Sequence, residues 1–217
     1  MLSAQVEALG PGIEACHLGI AKDDPADLRE KLAEGFRSDV LILSGGVSMG
    51  DFDYVHTELK ARGLEVALEK VAIKPGKPLV FGRVEIDGHT RHVFGLPGNP
   101  VSSFVTFELF VKPFLRASCG LEAKPPEPVF ARVGADIGGK AIPRTQHLPA
   151  RVHATESGVL AVETITWNGS GDLRGLVDAN SLVVVPRGEA PPREGDMAEV
   201  FLLEPAALPR PGAATRA

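Results

Sequence analysis

The stretch Ser44-Gly45-Gly46-Val47-Ser48-Met49-Gly50-Asp51-Phe52-Asp53 decides the fold of this chain. It follows an apolar run, residues 39–43, that is typical of a buried parallel strand, and it precedes residues 54–62, a helical pattern that ends at Gly63. A glycine-rich turn between a strand and a helix lets the backbone approach a ligand, and the N–H groups at a helix start favour an anion. Taken alone, such a turn is weak evidence, because many strand-to-helix turns carry glycine for their geometry only.

Two further segments point to the same kind of ligand. The loop Gly95-Leu96-Pro97-Gly98-Asn99-Pro100 follows an apolar run and precedes an amphipathic helical pattern, with Asn99 suited to the N-cap and Pro100 to the first helical position. Between the two loops, Ile73-Lys74-Pro75-Gly76-Lys77-Pro78 places two ammonium groups on a conformationally restricted segment. Lysines alone more often mark a solvated turn, but together the three segments predict a pocket for phosphate or for an oxyanion such as molybdate.

Strand and helix patterns alternate over residues 1–122. This order predicts a doubly wound α/β domain with three layers (α/β/α) and a mostly parallel sheet. Predicted strands cover residues 13–18, 39–43, 64–68, 79–86 and 91–94, and Asp87-Gly88 is a hairpin signal between the last two. Predicted helices cover residues 1–9, 53–62 and 100–118; another begins after the N-cap Asp24, and Pro113 should bend or break the last of them.

The proline-rich stretch Lys124-Pro125-Pro126-Glu127-Pro128 marks a domain boundary. Five short strand patterns follow, at residues 129–133, 146–152, 158–165, 181–186 and 196–203, and predict a small all-β domain over residues 127–204, either a sandwich or a barrel. Residues 205–217 are rich in Ala and Pro, and we expect them to be disordered. The chain opens on a helix, whereas this topology calls for a preceding strand, so either the N-terminus lies upstream or the sheet lacks a strand; we expect a truncated chain.

Composition restricts the partners and the compartment. The formal net charge of −5 over 217 residues argues against a broad nucleic-acid surface and against a polybasic membrane patch. No apolar run approaches the roughly 18–20 residues of a membrane span, and no signal peptide is visible. Cys16 and Cys119 are the two cysteines of the chain, and because they lie far apart with no C-x-x-C pair, a cysteine-based zinc site is excluded. We expect them to be buried, reduced thiols, which fits a cytoplasmic protein with neither nucleic-acid nor membrane partners.

In this order, the three ligand-binding segments resemble the signature of the MoeA/gephyrin-type molybdopterin molybdotransferases. The matching stretches are Ser44 to Gly50 with Asp53-Tyr54, Ile73 to Pro78, and Gly95 to Ser102, and the resemblance extends to about residue 204. It implies a molybdopterin-binding α/β domain over residues 1–122 and a β-barrel-like C-terminal domain over residues 127–204. It also implies an enzyme of molybdenum cofactor biosynthesis that inserts molybdate into adenylylated molybdopterin, releases AMP, and uses a divalent metal, usually Mg²⁺.

The same resemblance assigns roles to individual residues. It gives Asp53 and Asp23 to the metal, and Lys74 and Lys77 to molybdate or phosphate, and we expect these four to be the catalytic group. Both aspartates should lie at carboxyl ends of strands, where open α/β sheets bind ligands, although Asp53 could instead be a helix cap. The expected ligand-binding residues are Ser44, Gly45, Gly46, Ser48, Gly50, Pro97, Gly98, Asn99, Pro100 and Ser170.

This sequence departs from the family pattern in one respect. The family carries a Thr-Gly-Asp-Glu motif just before the position of Met1, and two further N-terminal domains, one of which completes the pocket across a homodimer interface. We therefore expect this chain to hold part of the catalytic constellation and not to be a competent enzyme alone. Two alternatives stay open: a MogA-type molybdopterin adenylyltransferase, and a non-catalytic molybdopterin-binding or scaffolding module. The lysine segment, Asn99-Pro100 and the appended β domain argue against the first alternative.

Overall fold

The computed structural model describes residues 1–46, 54–121, 127–165, 169 and 171–203. The chain divides into two compact units. The α/β unit comprises Met1–Val71 and Gly76–Ala123, and the β unit comprises Ala72–Pro75 and Lys124–Ala217. Residues 72–75 thus belong to the β unit, although they lie within the first 122 residues of the chain.

The helices and strands follow one another in this order: α1 (Leu2–Glu7), α2 (Pro25–Gly35), β1 (Val40–Ser44), α3 (Tyr54–Ala61), β2 (Glu65–Glu69), β3 (Ile73–Lys74), β4 (Val80–Ile86), β5 (His89–Leu96), α4 (Pro100–Thr106), a π-helical segment (Phe107–Val111), α5 (Lys112–Ser118), β6 (Pro128–Val133), β7 (Thr145–Ala154), β8 (Leu160–Thr164), α6 (Arg174–Val177), β9 (Ser181–Val185) and β10 (Met197–Leu202).

Within the described residues, the sheet of the α/β unit has four strands in the order β1-β5-β4-β2. Strands β1 and β5 are parallel, whereas β4 is antiparallel to both of its neighbours. One pairing of three is thus parallel, and the prediction of a mostly parallel sheet is wrong. The cause is the β4–β5 hairpin: Asp87 and Gly88 both have positive φ, as a tight two-residue turn requires, and such a turn forces adjacent antiparallel strands.

The predicted strand at residues 13–18 is absent. Residues 13–22 have no regular secondary structure, and no described strand pairs with them. The apolar residues of this segment contact two different core clusters, Ile13 and Ala15 on one and Leu18 on the other. The apolar pattern therefore reflects side-chain packing of an irregular segment, which a short run cannot distinguish from a strand.

The helix after β5 continues through Pro113, but its hydrogen-bond pattern changes just before that residue. Over Phe107–Val111 the pattern is π-helical, and the N–H of Lys112 donates to the carbonyl of Phe107, five residues earlier. Pro113 has no N–H to donate, so a local change of pattern here has a clear physical cause. The predicted disturbance at Pro113 thus takes the form of a π turn between α4 and α5.

Two apolar clusters hold the α/β unit together, and both use strand β5. One cluster joins Leu32 of α2 and Leu59 of α3 to Val93, and the other joins Phe107 and Val111 to Phe94. Because successive residues of a strand face opposite sides of a sheet, Val93 and Phe94 lie on opposite faces. Packing on both faces fixes strands β1 and β5, whose ends carry the two glycine loops.

All five strands predicted for the C-terminal region are present in the β unit. Strands β7, β8, β6, β10 and β9 form a closed ring, since β9 pairs back to β7, and β3 adds to the first residues of β7 in parallel. The ring encloses a core of small and β-branched residues: Ala131, Val133, Ile137, Ala150, Val152, Val162, Val183, Val185, Ala198 and Val200.

Two sequence expectations concern solvent and membrane. In the ranges given above, no helix combines the length and the apolarity needed to cross a bilayer. Cys16 and Cys119 are free and exposed, so the prediction of buried thiols is wrong. Cys16 lies in the irregular segment before α2, and Cys119 is the C-cap of α5, where a side chain faces solvent.

Candidate functional site

Both glycine loops leave the same edge of the α/β sheet. Strands β1 and β5 are parallel neighbours, with Ser44 opposite Leu96 at their carboxyl ends. Strand β4 runs the other way, so it begins at this edge, with Val80 opposite Gly95, and β2 ends here with Glu69 opposite Val80. We call this edge, defined by Ser44, Leu96, Val80 and Glu69, the loop edge. The segment that carries Lys77 enters β4 at the loop edge as well.

The two glycine loops contact each other through their backbones. The N–H of Gly45 donates to the carbonyl of Leu96 at 3.0 Å, and the hydroxyl of Ser44 lies 3.4 Å from the carbonyl oxygen of Pro97. Gly45 has a φ of +85°, a conformation that other residues adopt only with strain, and a Cβ on Gly98 would lie 3.5 Å from the Gly45 Cα. Gly45 thus requires glycine for its backbone conformation, whereas a Cβ on Gly98 would make an ordinary van der Waals contact, and the two loops pack together through their backbones.

The second loop has a buried base and an exposed tip. Pro97 is buried, Gly98 and Asn99 are exposed, and Pro100 is partly buried. Asn99 occupies the N-cap position of α4, as predicted, but its side chain makes no capping hydrogen bond. The loop is instead fastened by Ser103, whose hydroxyl donates to the carbonyl of Pro97. Sequence reasoning missed Ser103; a serine four residues after an N-cap, able to bond back to the preceding loop, is the signal that could have found it.

The structure places the two lysines in different units. Lys77 is exposed in the α/β unit, where its carbonyl accepts from the N–H of Val71 at 3.0 Å, three residues before β4 begins. Lys74 is exposed in the β unit, on β3, paired in the ladder with Gln146. Among the described residues no carboxylate lies within ion-pair distance of either ammonium group. Lys77 thus lies in the segment that enters the loop edge of the α/β unit, and Lys74 belongs to the β unit.

Asp23 does not lie at the end of a strand, so that part of the prediction is wrong. It is exposed, and it directly precedes Asp24, whose carboxylate caps α2 by accepting from the N–H of Asp27 at 3.0 Å. The reason is the absence of the strand at residues 13–18. Asp23 therefore belongs to the start of a helix.

The start of α2 nevertheless lies at the loop-edge end of the α/β unit. Arg29 of α2 pairs with Glu58 of α3 at 2.8 Å, and further along both helices Arg62 approaches the ring of Phe36, with 5.9 Å from its Cζ to the ring centroid. The contacts run in the same order along both helices, so α2 and α3 are parallel. Because α2 enters β1 after a short turn at residues 36–39, it runs opposite to β1 and begins where β1 ends. Asp23, just before α2, therefore lies at the same end of the α/β unit as the glycine loops.

Several predicted site residues lie outside the described residues: Ser48, Gly50, Asp53 and Ser170. Gly46, the last described residue of the first loop, is exposed with a φ of +66°. In the described part of the chain no group of three or more His, Cys, Asp or Glu side chains is arranged to hold a metal ion. The metal site predicted at Asp23 and Asp53 therefore has one described member.

Comparison with known proteins adds the family to this geometry. A family model described as a probable molybdopterin binding domain matches residues 1–117, and one described as the MoeA C-terminal region (domain IV) matches residues 131–203. The chain is 35% identical over 205 residues to a molybdopterin molybdenumtransferase of Staphylococcus aureus, an alignment that covers 94% of this chain and 47% of that protein. It is 36% identical over 183 residues to the enzyme of the same name from Nostoc, covering 82% of this chain and 41% of that one.

A solved structure agrees with the sequence relatives. The crystal structure of the molybdopterin biosynthesis MoeA protein from Pyrococcus horikoshii superposes with a TM-score of 0.72 at 29% identity, over 94% of this chain and 46% of that one. The chain thus spans about half the length of the relatives that it matches. Matches to both family regions, in the order in which the two units occur, lead to one conclusion: this chain belongs to the MoeA family of molybdopterin molybdenumtransferases.

Proposed function

We propose that this chain supplies the molybdopterin-binding and C-terminal parts of a molybdopterin molybdenumtransferase. In the reaction, molybdate is inserted into adenylylated molybdopterin and AMP is released. The observation that carries the proposal is the convergence of two glycine loops at the loop edge, in a chain whose relatives are named for this transfer. The match over residues 131–203 supports a MoeA-type function over the MogA-type alternative, because it covers the β unit.

The chemistry of the loop edge suits a phosphate-bearing substrate. Exposed backbone at Gly46, Gly98 and Asn99 offers N–H donors, and at Gly45 and Gly98 the two loops meet backbone to backbone. Lys77 is exposed three residues before β4 begins at this edge, and we assign its ammonium group to phosphate or molybdate oxygens. We propose the same role for Lys74, on the strength of the resemblance of its segment alone.

A divalent metal fits the residue types at this end of the unit. Mg²⁺ prefers hard oxygen ligands, and Asp23 offers an exposed carboxylate at the start of α2. We propose that Asp23 and Asp53 would hold Mg²⁺, whose charge would offset that of the phosphate oxygens. We also propose that the α/β unit is a three-layer α/β/α domain, because apolar side chains pack on both faces of β5. We propose further that the protein acts in the cytoplasm as a homodimer, in which a further domain completes the pocket.

Calorimetry with the full chain tests the proposal. Adenylylated molybdopterin is titrated with and without Mg²⁺ and molybdate, and AMP release is followed in the same samples. We expect binding that strengthens with Mg²⁺, and little or no AMP release unless the family domains that this chain does not span are added. Binding without turnover under every condition, with those domains present, would favour the non-catalytic binding module, and absence of binding would contradict the proposed function altogether.

A further inference from the structure

Ser103 stands out among the buried residues of the α/β unit, because it is polar, 1% exposed, and bonded to the loop that precedes its own helix. Its hydroxyl reaches the carbonyl of Pro97, six residues back, and lies 3.1 Å from the carbonyl oxygen of Asn99. A serine hydroxyl has one proton to donate. The carbonyl of Asn99 already accepts from the N–H of Ser103 at 2.9 Å, so we assign the hydroxyl proton to the carbonyl of Pro97.

Ser103 thus holds the carbonyl groups on both sides of Gly98. The carbonyl of Pro97 points inward to the Ser103 hydroxyl, with Ser44 as a second and longer contact at 3.4 Å. The Pro97–Gly98 peptide is trans and planar, so its N–H points away from its carbonyl. The N–H of Gly98 is therefore turned outward, and no backbone or side-chain acceptor for it exists among the described residues.

We propose that Ser103 is a positioning residue that presents the N–H of Gly98 to a phosphate group of the bound pterin. This rests on the proposed function, since it names one donor of that same site. Without the Ser103 hydroxyl, the longer Ser44 contact would be left to hold the Pro97 carbonyl, and the Pro97–Gly98 peptide could turn over more easily. Such a flip changes the ψ of Pro97 and the φ of Gly98, and glycine accepts a changed φ at low cost. The flipped peptide would present a carbonyl oxygen to the phosphate and repel it.

Three variants of the full chain separate positioning from general stability. Ser103→Ala removes the hydroxyl, Ser103→Thr keeps it, and Thr106→Val removes a different buried hydroxyl from the same helix. Among the described residues, the hydroxyl of Thr106 bonds to helix carbonyls alone, at 2.8 Å to Ser102 and 3.1 Å to Ser103, and it is fully buried. The Thr106 variant therefore has a comparable structural penalty without a link to the loop.

The measurements are calorimetric affinity for molybdopterin and the amide ¹H shift of Gly98 during the same titration. In the parent chain we expect the Gly98 proton to move downfield as it bonds to phosphate. We expect Ser103→Ala to weaken binding by about tenfold, the usual order for a hydrogen bond to a charged group, and to lose the Gly98 shift. Ser103→Thr should restore both, and Thr106→Val should bind like the parent.

Two results would overturn the inference and leave the proposed function intact: a Ser103→Ala chain that binds like the parent, or a Gly98 amide that does not respond in a parent chain that binds. The second needs no variant, so it applies even if Ser103→Ala fails to fold. A parent chain that does not bind molybdopterin would overturn both proposals.

Discussion

The loop edge and the beginning of strand β7 both bury polar groups, but only the loop edge pairs them. At the loop edge the hydroxyl of Ser103 donates to Pro97, and the N–H of Gly45 donates to Leu96. At the beginning of β7, Gln146 Nε2 and His147 Nδ1 are buried and have no hydrogen-bond partner in the described part of the chain. Paired buried groups fix one backbone shape, whereas unpaired ones lower the stability of the fold. The hydrogen bonds at the loop edge therefore fix its backbone geometry, whereas the unpaired groups at the beginning of β7 lower the stability of the β unit.

The largest effect should come from acid acting on His147. Burial lowers the pKa of His147 from 6.5 to about 4. The unfolded state therefore binds more protons than the folded state between about pH 6.5 and pH 4. The stability of the β unit should be unaffected by this residue above pH 6.5, should fall by about 3 kcal/mol as the pH drops to 4, and should lose no more from it below.

Urea unfolding of the chain at a series of pH values checks this. His147→Gln should lack that fall, whereas His153→Gln, a partly exposed histidine on the same strand, should retain it. If the stability of His147→Gln and of the parent depended on pH in the same way, His147 would not be an unpaired buried base. The contrast between the loop edge and β7 would then rest on Gln146 alone.

A smaller effect should follow Gly45→Ala at the loop edge. Gly45 has a φ of +85°, and an alanine there costs about 1–2 kcal/mol in strain, although its Cβ would be 3.8 Å from Gly98 and would not clash. We expect lower stability of the α/β unit in urea unfolding and weaker molybdopterin binding. The matched control is Gly88→Ala at the β4–β5 turn, which has φ +76° and open space around it. It should cost similar stability and leave binding unchanged; a loss of binding there as well would mean that strain alone, and not the loop contact, lowers affinity.

Gln146→Met should stabilise the β unit by about 1 kcal/mol. Methionine has nearly the same length, and it removes an amide nitrogen that is buried without a partner. Thermal unfolding of the two chains measures the difference. A destabilised variant would show that the amide of Gln146 forms a hydrogen bond. The beginning of β7 would then resemble the loop edge in pairing this buried polar group.

Lys77→Ala should change stability least, by less than about 0.5 kcal/mol, because the side chain is exposed and makes no ion pair among the described residues. Its effect should be on ligand affinity: weaker molybdopterin binding, with a difference from the parent that shrinks as salt increases. The exposed Lys60 at the end of α3 offers a control, and Lys60→Ala should bind normally. Identical salt dependence for the parent and Lys77→Ala would argue against a charge contact with the ligand.

What the sequence predicted well was local. The glycine turn after β1 and the hairpin at Asp87-Gly88 follow from residue types with characteristic turn conformations wherever they occur. What it could not predict depends on distant neighbours: the antiparallel placement of β4, the packing of Leu18 without a strand, and the exposure of Cys16. Ser103 belongs to this second group, because its hydrogen bond depends on how helix α4 turns relative to the loop before it.

The central claim is that the two glycine loops form one binding surface for a phosphorylated pterin. Following the backbone amides of the chain by NMR during a titration with molybdopterin tests it most directly. We expect amides of both loops, those of Gly45 and Gly46 together with those of Gly98 and Asn99, to shift over the same range of ligand concentration. Shifts in only one loop, or shifts confined to the β unit, would contradict it.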